Sequence, residues 1–114
     1  MVSTRVDVLP GTLELLLLKT LSRGYAMHGF EVLRWLRDAT DGELHIEEGA
    51  LYPALHRLEK RRWIKGEWQI SEKGRRARYY AITTAGRNEL RREESQWERY
   101  LSAWQKIVLA AATA

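Results

Sequence analysis

The chain contains no cysteine, and this absence excludes several kinds of site. A protein of 114 residues without cysteine has no disulfide framework, no thiolate nucleophile and no zinc site built on thiolates. No run approaches the roughly 20 apolar residues that span a bilayer, and the apolar run Leu15–Leu18 is too short for a signal peptide. We therefore expect no membrane segment and a cytoplasmic location.

The sequence also lacks residues spaced for catalysis. His28, His45 and His56 stand 17 and 11 residues apart, so none has a partner at the spacing of a helical metal pair. There is no glycine-rich phosphate loop, nucleophile elbow or pair of poised carboxylates. We predict that the chain is not an enzyme and uses no cofactor or metal, and that His28 and His45 are capping or surface residues. A metal site that joins these two histidines to Glu47 and Glu48 in the fold is the alternative that the spacing leaves open.

Positive charge is concentrated in one segment. The whole chain has a net charge of +4, and 45% hydrophobic with 30% charged residues is the composition of a folded protein. Between Arg57 and Arg78, nine basic residues face three acidic ones, so this segment carries +6 and the remainder is net acidic. An ordinary solvent-exposed surface would mix positively and negatively charged residues. This pattern is typical of a protein that binds the phosphate backbone of nucleic acid.

Apolar periodicity predicts two helices in the first third of the chain. Thr12–Ser22 carries leucine on nearly every side, which predicts burial on more than one side. Met27–Ala39 is the second helix, and Gly29 within it is expected to permit a close approach of another helix. Its predicted core stripe comprises Phe30, Leu33 and Leu36.

A third helix is predicted over Glu48–Arg62. Three leucines at i, i+4 and i+7 are expected to face the core: Leu51, Leu55 and Leu58. The opposite side displays a mixed aromatic and basic set suited to a DNA groove: Tyr52, Pro53, His56, Arg57 and Lys60. Arg57 is expected to pair with guanine. The acidic residues Glu47 and Glu48 at the helix start would repel phosphates unless they face the preceding turn.

After this helix the apolar residues alternate with polar ones, which predicts two strands of a β-hairpin joined by the turn Ser71–Arg76. Four basic residues of the hairpin are expected to contact phosphates or a narrow minor groove: Lys73, Arg75, Arg76 and Arg78. Three helices followed by a hairpin predict a mainly α fold with a small β-hairpin. We assign residues 1–83 to a winged helix-turn-helix DNA-binding domain.

A single long helix is predicted from Thr84 to about Ala111, with the hydroxyl of Thr83 or Thr84 as its cap. Its apolar positions step by seven, four, three and four residues: Leu90, Trp97, Leu101, Trp104 and Val108. Such a helix extends beyond what so small a domain can cover, and an exposed apolar row requires a partner. We predict that residues 84–114 form a C-terminal dimerisation helix that pairs with a second copy of the chain.

Several blocks of sequence resemble the PadR family of transcriptional regulators. The block from Glu47 to Glu59 is similar to the recognition-helix signature of that family, and Gly74–Tyr80 with Ile82–Gly86 looks like its wing and second strand. Gly11–Leu18 and Met27–Glu31 match its first two helices. The resemblance implies a homodimeric repressor that binds an inverted-repeat operator and is released by a small molecule.

The resemblance also bears on ligand binding. In some relatives a tryptophan of the C-terminal helix lines an apolar pocket between subunits and stacks on flat aromatic ligands. Trp97 occupies a comparable place, with Leu101 and Trp104 beside it. Plain packing within the dimer is the alternative role for these three residues. For the whole chain, the alternative is a dimeric module that senses a small molecule or a metal and binds DNA weakly or without specificity.

Overall fold

The structure is a computed structural model that describes residues 6–9 and 11–113. Outside the described residues lie residues 1–5 and 10, which belong to the first predicted domain, and residue 114, which belongs to the second. In chain order the elements are β1 (Val6–Asp7), α1 (Leu13–Leu21), β2 (Met27–His28), α2 (Gly29–Ala39), β3 (Leu44–His45), α3 (Glu48–Lys60), β4 (Ile64–Ile70), β5 (Arg76–Ile82) and α4 (Thr84–Thr113). Strands β2, β5 and β4 form an antiparallel sheet, and β1 pairs with β3 in parallel.

One hydrophobic core joins the helices to the three-stranded sheet. Leu17 and Leu18 of α1 are fully buried, and the other side of α1 packs its half-buried Leu15 and Leu16 against the same core. The remaining core residues are Leu21, Met27, Val32, Leu33, Leu36, Leu51, Ala54, Leu55, Leu58, Ile64, Tyr80 and Leu90. Helix α4 therefore contributes to the core of the winged-helix region through Leu90 near its start.

Helix α2 begins at Gly29, two residues later than predicted. Met27 and His28 instead pair with Tyr80 and Tyr79 as a short strand at the edge of the sheet. The His28 side chain then caps the helix, because its Nδ1 accepts a hydrogen bond from the backbone N–H of Glu31 at 3.3 Å. The Glu31 carboxylate in turn accepts from the His28 backbone N–H at 3.1 Å, which completes a capping box.

The predicted core stripe of α2 was partly wrong. Leu33 and Leu36 are buried as expected, but Phe30 is 51% exposed and the Arg34 guanidinium lies 5.2 Å from the centre of its ring. Val32 is the third buried apolar residue of the helix. The later start of the helix does not change the spacing of these residues, so the error lies in the choice of which neighbouring apolar residue faces inward.

Helix α3 ends at Lys60 rather than at Arg62. Arg62 adopts a left-handed backbone with φ of +63°, a conformation that ends a helix. The N–H of Trp63 then bonds to the carbonyl oxygen of Leu58 at 3.1 Å, and that of Arg62 to Glu59 at 2.9 Å. These two bonds form a Schellman motif with arginine at the position where glycine is usual. The chain leaves α3 directly into β4.

The junction between the hairpin and α4 is tightly packed around Thr83 and Gly86. The Thr83 hydroxyl donates to the Arg62 carbonyl at 2.7 Å and accepts from the Gly86 N–H at 3.0 Å, so Thr83 is the cap of α4. A Cβ atom at Gly86 would overlap the Trp63 carbonyl oxygen and lie 2.9 Å from Ile82 Cγ1. This contact fixes where α4 leaves the domain.

Most of α4 projects away from the core. At 1.5 Å per residue its 30 residues span about 45 Å, and every described residue after Trp97 is exposed. The radius of gyration is 16.5 Å, whereas a compact domain of this length would have about 13 Å. The described residues of α4 after Trp97 therefore project into solvent in one copy of the chain.

Substitution of Gly86 by alanine should destabilise the protein. Alanine gains up to about 1 kcal/mol of helix propensity, but the overlap with backbone atoms of Trp63 cannot be relieved by a side-chain rotation. We expect the free energy of unfolding to fall by about 2 kcal/mol, measured by urea denaturation. Gly49→Ala is the matched control, because no atom lies within 4 Å of the added methyl group. An equal effect of both substitutions would contradict the packing described for Gly86.

Candidate nucleic-acid interface

Helix α3 presents one side to the core and the other to solvent. Its fully buried leucines are Leu51, Leu55 and Leu58. Since successive helical residues are rotated by about 100°, the centre of the opposite side falls at Pro53, His56 and Lys60, which are all exposed. We call these three residues the reading face. Tyr52 and Arg57 lie on its two flanks.

Tyr52 lies on the flank of α3 that contacts the start of α2. A Cβ atom at Gly29 would lie 2.9 Å from Cε1 of the Tyr52 ring, so the ring rests against the start of α2 at a residue without a side chain. Gly29 was predicted to permit a close approach of another helix, and it admits an aromatic side chain of α3. Tyr52 nevertheless remains 54% exposed. Its ring is therefore supported on one side and accessible on the other.

Arg57 lies on the opposite flank, beside α1. Its Nε donates a hydrogen bond to Oε1 of Glu14 at 2.6 Å, and the Arg57 side chain is about half exposed. The two residues are 43 positions apart in the chain, so the sequence carries no local signal of this pair. A contact between Arg57 and a base requires the guanidinium to leave Glu14 or to use its remaining donors.

The hairpin turn exposes part of the predicted basic set. The Ser71 N–H bonds to the Arg75 carbonyl at 2.7 Å, and Gly74 adopts a φ of +73° that few other residues tolerate. Lys73 and Arg75 are exposed at this turn. The next basic residue, Arg76, is the first of β5, and its guanidinium lies 4.6 Å from the centre of the Trp68 ring. Trp68, which was predicted only as a strand residue, therefore lies next to the basic surface of the hairpin.

Arg78 lies inside β5 rather than at the turn. Its Nη2 and Nε both donate to the carboxylate of Glu59 in α3, the Nε at 3.4 Å. This carboxylate raises the pKa of the Arg78 guanidinium above its ordinary value. Burial raises the pKa of the neighbouring Tyr80 hydroxyl, with a further contribution from Glu59. Arg78 is therefore a neutralised cation in the contact between α3 and the hairpin.

The nine predicted DNA-binding residues include six cations that the structure divides into two groups. Arg57 and Arg78 are paired with carboxylates. Within residues 6–9 and 11–113, the ion pairs involve none of the other four, which are Lys60, Lys73, Arg75 and Arg76. We call these four the unpaired cations. An unpaired exposed cation is available to neutralise a phosphate and displace a cation condensed on the nucleic acid, which makes it suited to nucleic-acid binding.

The acidic start of α3 faces the preceding turn. Glu47 and Glu48 line a cleft of about 780 Å³ together with Arg37 and His45, between the end of α2 and the start of α3. The Glu47 carboxylate lies 3.7 Å from Nε2 of His45. These carboxylates therefore lie at one end of α3, away from Lys60 at its other end.

The histidines do not form a metal cluster. His28 caps α2, and His45 contacts Glu47 as described. In the described part of the chain, no group of three or more histidine, cysteine, aspartate or glutamate side chains is placed to hold a metal ion. His56 remains on the reading face.

The three predicted ligand-binding residues of α4 have different surroundings. Trp97 is half-buried, stacks on Tyr100 with ring centres 5.8 Å apart, and lines a cleft of about 370 Å³ between α4 and the start of α1. Leu15 and Glu93 line the same cleft. Leu101 and Trp104 do not line it, and both are exposed.

Glu93 gives the cleft beside Trp97 an acidic wall. Burial raises the pKa of the Glu93 carboxyl, and the nearby carboxylates of Glu89 and Glu14 raise it further. A second negative charge beside this carboxyl would be unfavourable. The cleft is therefore better suited to a neutral or cationic guest than to an anionic one.

A helix held by its leucines against a core, an exposed face opposite them and a basic hairpin alongside together define a winged helix-turn-helix DNA-binding protein. Residues 17–92 match the sequence profile described as the Transcriptional regulator PadR-like family. The match covers more than half of the chain, and the chain belongs to this family. The predicted family, the mainly α winged-helix fold and the role as a DNA-binding transcriptional regulator rather than an enzyme are thereby confirmed.

Solved structures show the same relationship. A transcriptional regulator from Clostridium thermocellum is 31% identical, with a TM-score of 0.76 over 84% of this chain and 92% of that one. A PadR family transcriptional regulator from Eggerthella lenta is 30% identical, with a TM-score of 0.74 over 86% and 82% of the two chains. A PadR-like transcriptional regulator from Bacillus cereus is 26% identical, with a TM-score of 0.73 over 86% and 92%.

Among the helices of residues 6–9 and 11–113, none combines the length and the hydropathy that a membrane span requires.

Proposed function

We propose that this PadR-family regulator is a homodimeric repressor that binds an inverted-repeat operator and is released by a small planar ligand. The reading face of α3 enters the major groove, and the hairpin lies on the adjacent backbone. His56 and the flanking Tyr52 contact base edges there, and Arg57 joins them when its guanidinium leaves Glu14 or uses its remaining donors. The observation that supports the DNA-binding surface is the set of four unpaired cations beside the reading face. The other three cations of α3 and the hairpin, Arg57, Lys65 and Arg78, are each paired with a carboxylate.

Two copies of the chain are needed to cover α4. Its exposed apolar residues lie mainly along one side of the projecting helix: Tyr100, Leu101, Trp104, Ile107 and Val108. A second α4 placed against this side buries them in a twofold arrangement. The two reading faces then enter successive major grooves about 34–36 Å apart, which is the spacing of an inverted repeat.

Repression follows from occupancy. A dimer that covers two successive major grooves excludes other proteins from the same stretch of promoter DNA. Release by a ligand requires a site that communicates with the dimer, and the cleft beside Trp97 lies between α1 and α4. A planar cationic or neutral guest fits its half-buried tryptophan and acidic wall.

Substitution of Arg75 by alanine should weaken binding to all DNA sequences alike. Removal of one phosphate interaction lowers the slope of log affinity against log salt by about 0.9, so the slope for a dimer should fall by about 1.8. The measurement is a gel-shift titration on the DNA upstream of the gene at several salt concentrations. Lys65→Ala is the control, because Lys65 pairs with Glu67 at 3.1 Å on the face of the hairpin opposite Arg78. An unchanged slope in Arg75→Ala would show that the hairpin turn does not contact phosphate.

The same titration tests specificity. Equal affinity of the unsubstituted protein for all sequences would contradict the operator-binding repressor. It would favour the alternative of a dimeric sensing module that binds DNA without specificity.

Substitution of Trp104 by glutamate should dissociate the dimer without unfolding the winged-helix region. Trp104 is 58% exposed in one copy, so a charge there is harmful only where a second copy covers it. We expect the mass measured by light scattering after gel filtration to fall from dimer to monomer, while the helical circular dichroism signal is largely retained. Ser102→Glu adds the same charge on the opposite side of α4 and should remain dimeric. A monomeric unsubstituted protein would refute the proposed assembly.

Trp97 should report on ligand binding. A planar cationic dye should quench tryptophan fluorescence in a saturable manner, and Trp97→Leu should abolish both this response and the release of DNA by the dye. A planar sulfonate of similar size should bind more weakly because of Glu93. If the dye quenches the fluorescence of the unsubstituted protein and of Trp97→Leu equally, Trp97 serves only in packing and the ligand-release part of the proposal fails.

A further inference from the structure

The hairpin register directs Arg78 toward α3. Strands β4 and β5 pair Trp68 with Arg78 and Gly66 with Tyr80. Directly opposed residues of an antiparallel pair share one face of the sheet, and this face includes the buried Tyr80. Arg78 thus lies on the side of the hairpin that contacts the core and α3.

Glu59 receives this guanidinium from the recognition helix. The Arg78 and Glu59 side chains are 29% and 28% exposed, and two nitrogens of Arg78 donate to the two carboxylate oxygens. Such a two-point contact restricts orientation as well as distance. Glu59 is next to Lys60 in the sequence, so the same turn of α3 carries a residue of the reading face and the contact to the hairpin.

Gly66 provides the space in which Arg78 lies. A Cβ atom at Gly66 would be 2.6 Å from Nε of Arg78 and 2.9 Å from Cζ, so the guanidinium crosses β4 at a residue without a side chain. Beyond it, the Trp68 ring lies 5.5 Å from the Arg78 guanidinium and 4.6 Å from that of Arg76. The Trp68 ring on the outer half of the hairpin thereby lies against a cation that α3 holds in place.

We propose that Arg78 is a positioning residue that, together with Glu59, fixes the hairpin at one angle to the recognition helix and makes no phosphate contact. The inference rests on the proposed DNA-binding mode, in which α3 and the hairpin contact one duplex together. A cation that stays paired with a carboxylate neutralises no phosphate and so displaces none of the cations condensed on the DNA, whereas the unpaired Arg76 two residues earlier can displace one. A hairpin held in advance also loses less conformational freedom on binding.

The proposal predicts equal effects of two opposite charge changes. Glu59→Gln and Arg78→Gln should each weaken operator binding about tenfold, and the double variant should be no weaker than either single one. In both single variants and in the double variant, the slope of log affinity against log salt should equal that of the unsubstituted protein. Arg76→Gln should lower the slope by about 1.8 for a dimer. If Arg78 bound phosphate, Arg78→Gln would lower the slope, and Glu59→Gln would bind DNA as well as or better than the unsubstituted protein.

Exchange of the two charges distinguishes loss of the Arg78–Glu59 contact from misfolding of a single variant. Glu59→Arg combined with Arg78→Glu restores the pair with reversed polarity, and its affinity should exceed that of Arg78→Glu alone at least severalfold. A double variant that binds more weakly than Arg78→Glu alone would overturn the proposal.

A measurement without DNA separates this inference from the proposed function. Amide hydrogen exchange of Trp68–Ile70 in the free protein should accelerate in Glu59→Gln and Arg78→Gln and remain unchanged in Lys73→Gln, which removes an exposed cation of the turn. Unchanged exchange in the first two variants would refute the positioning role. Absence of specific operator binding by the unsubstituted protein would refute the proposed function and leave the exchange result standing.

Discussion

The recognition helix has one rotational setting about its own axis, because three leucines on one side are completely buried. Leu51, Leu55 and Leu58 pack among residues of α1, α2 and the sheet, and turning the helix by one position would expose them. Burial of each such side chain contributes about 2 kcal/mol, so this setting is strongly preferred. The direction of every other side chain of α3 follows from it. The residues of the reading face point away from the core as a consequence.

The same setting decides which charges are available. It places Arg57 against Glu14 of α1 on one flank and Glu59 against Arg78 of β5 on the other. These pairs remove two cations from the basic segment and join the recognition helix to its two neighbours. Of the six predicted DNA-binding cations, the four that form no ion pair within the described residues are the unpaired cations, which lie at the end of α3 and at the outer part of the hairpin. The surface proposed to bind DNA is therefore narrower than the basic segment of the sequence.

The long helix has a different physical basis. Its start is held by Thr83 and by the contact of Gly86 with the Trp63 backbone, and Leu90 is its last buried residue. Beyond that point the helix continues on its own periodicity and leaves an apolar side exposed. A tightly defined exit angle together with an uncovered apolar side is what a twofold dimer needs, since two reading faces must be held at a fixed separation.

The sequence by itself determined the order of the helices and the hairpin, the inward leucines of α3 and the family resemblance, and it limited the cap of α4 to Thr83 or Thr84. All of these depend on local periodicity, capping chemistry or short motifs. The helix ends and the exposure of Phe30 did not follow from such signals, because neighbouring apolar residues compete for the core and strand pairing of Met27 replaces its helical bonds. Only the tertiary structure decided that Arg57 and Arg78, among the six predicted DNA-binding cations, are paired with carboxylates. The partners of these two arginines are 43 and 19 residues away, and a charge pair across such a distance exists only once packing has brought the two elements together.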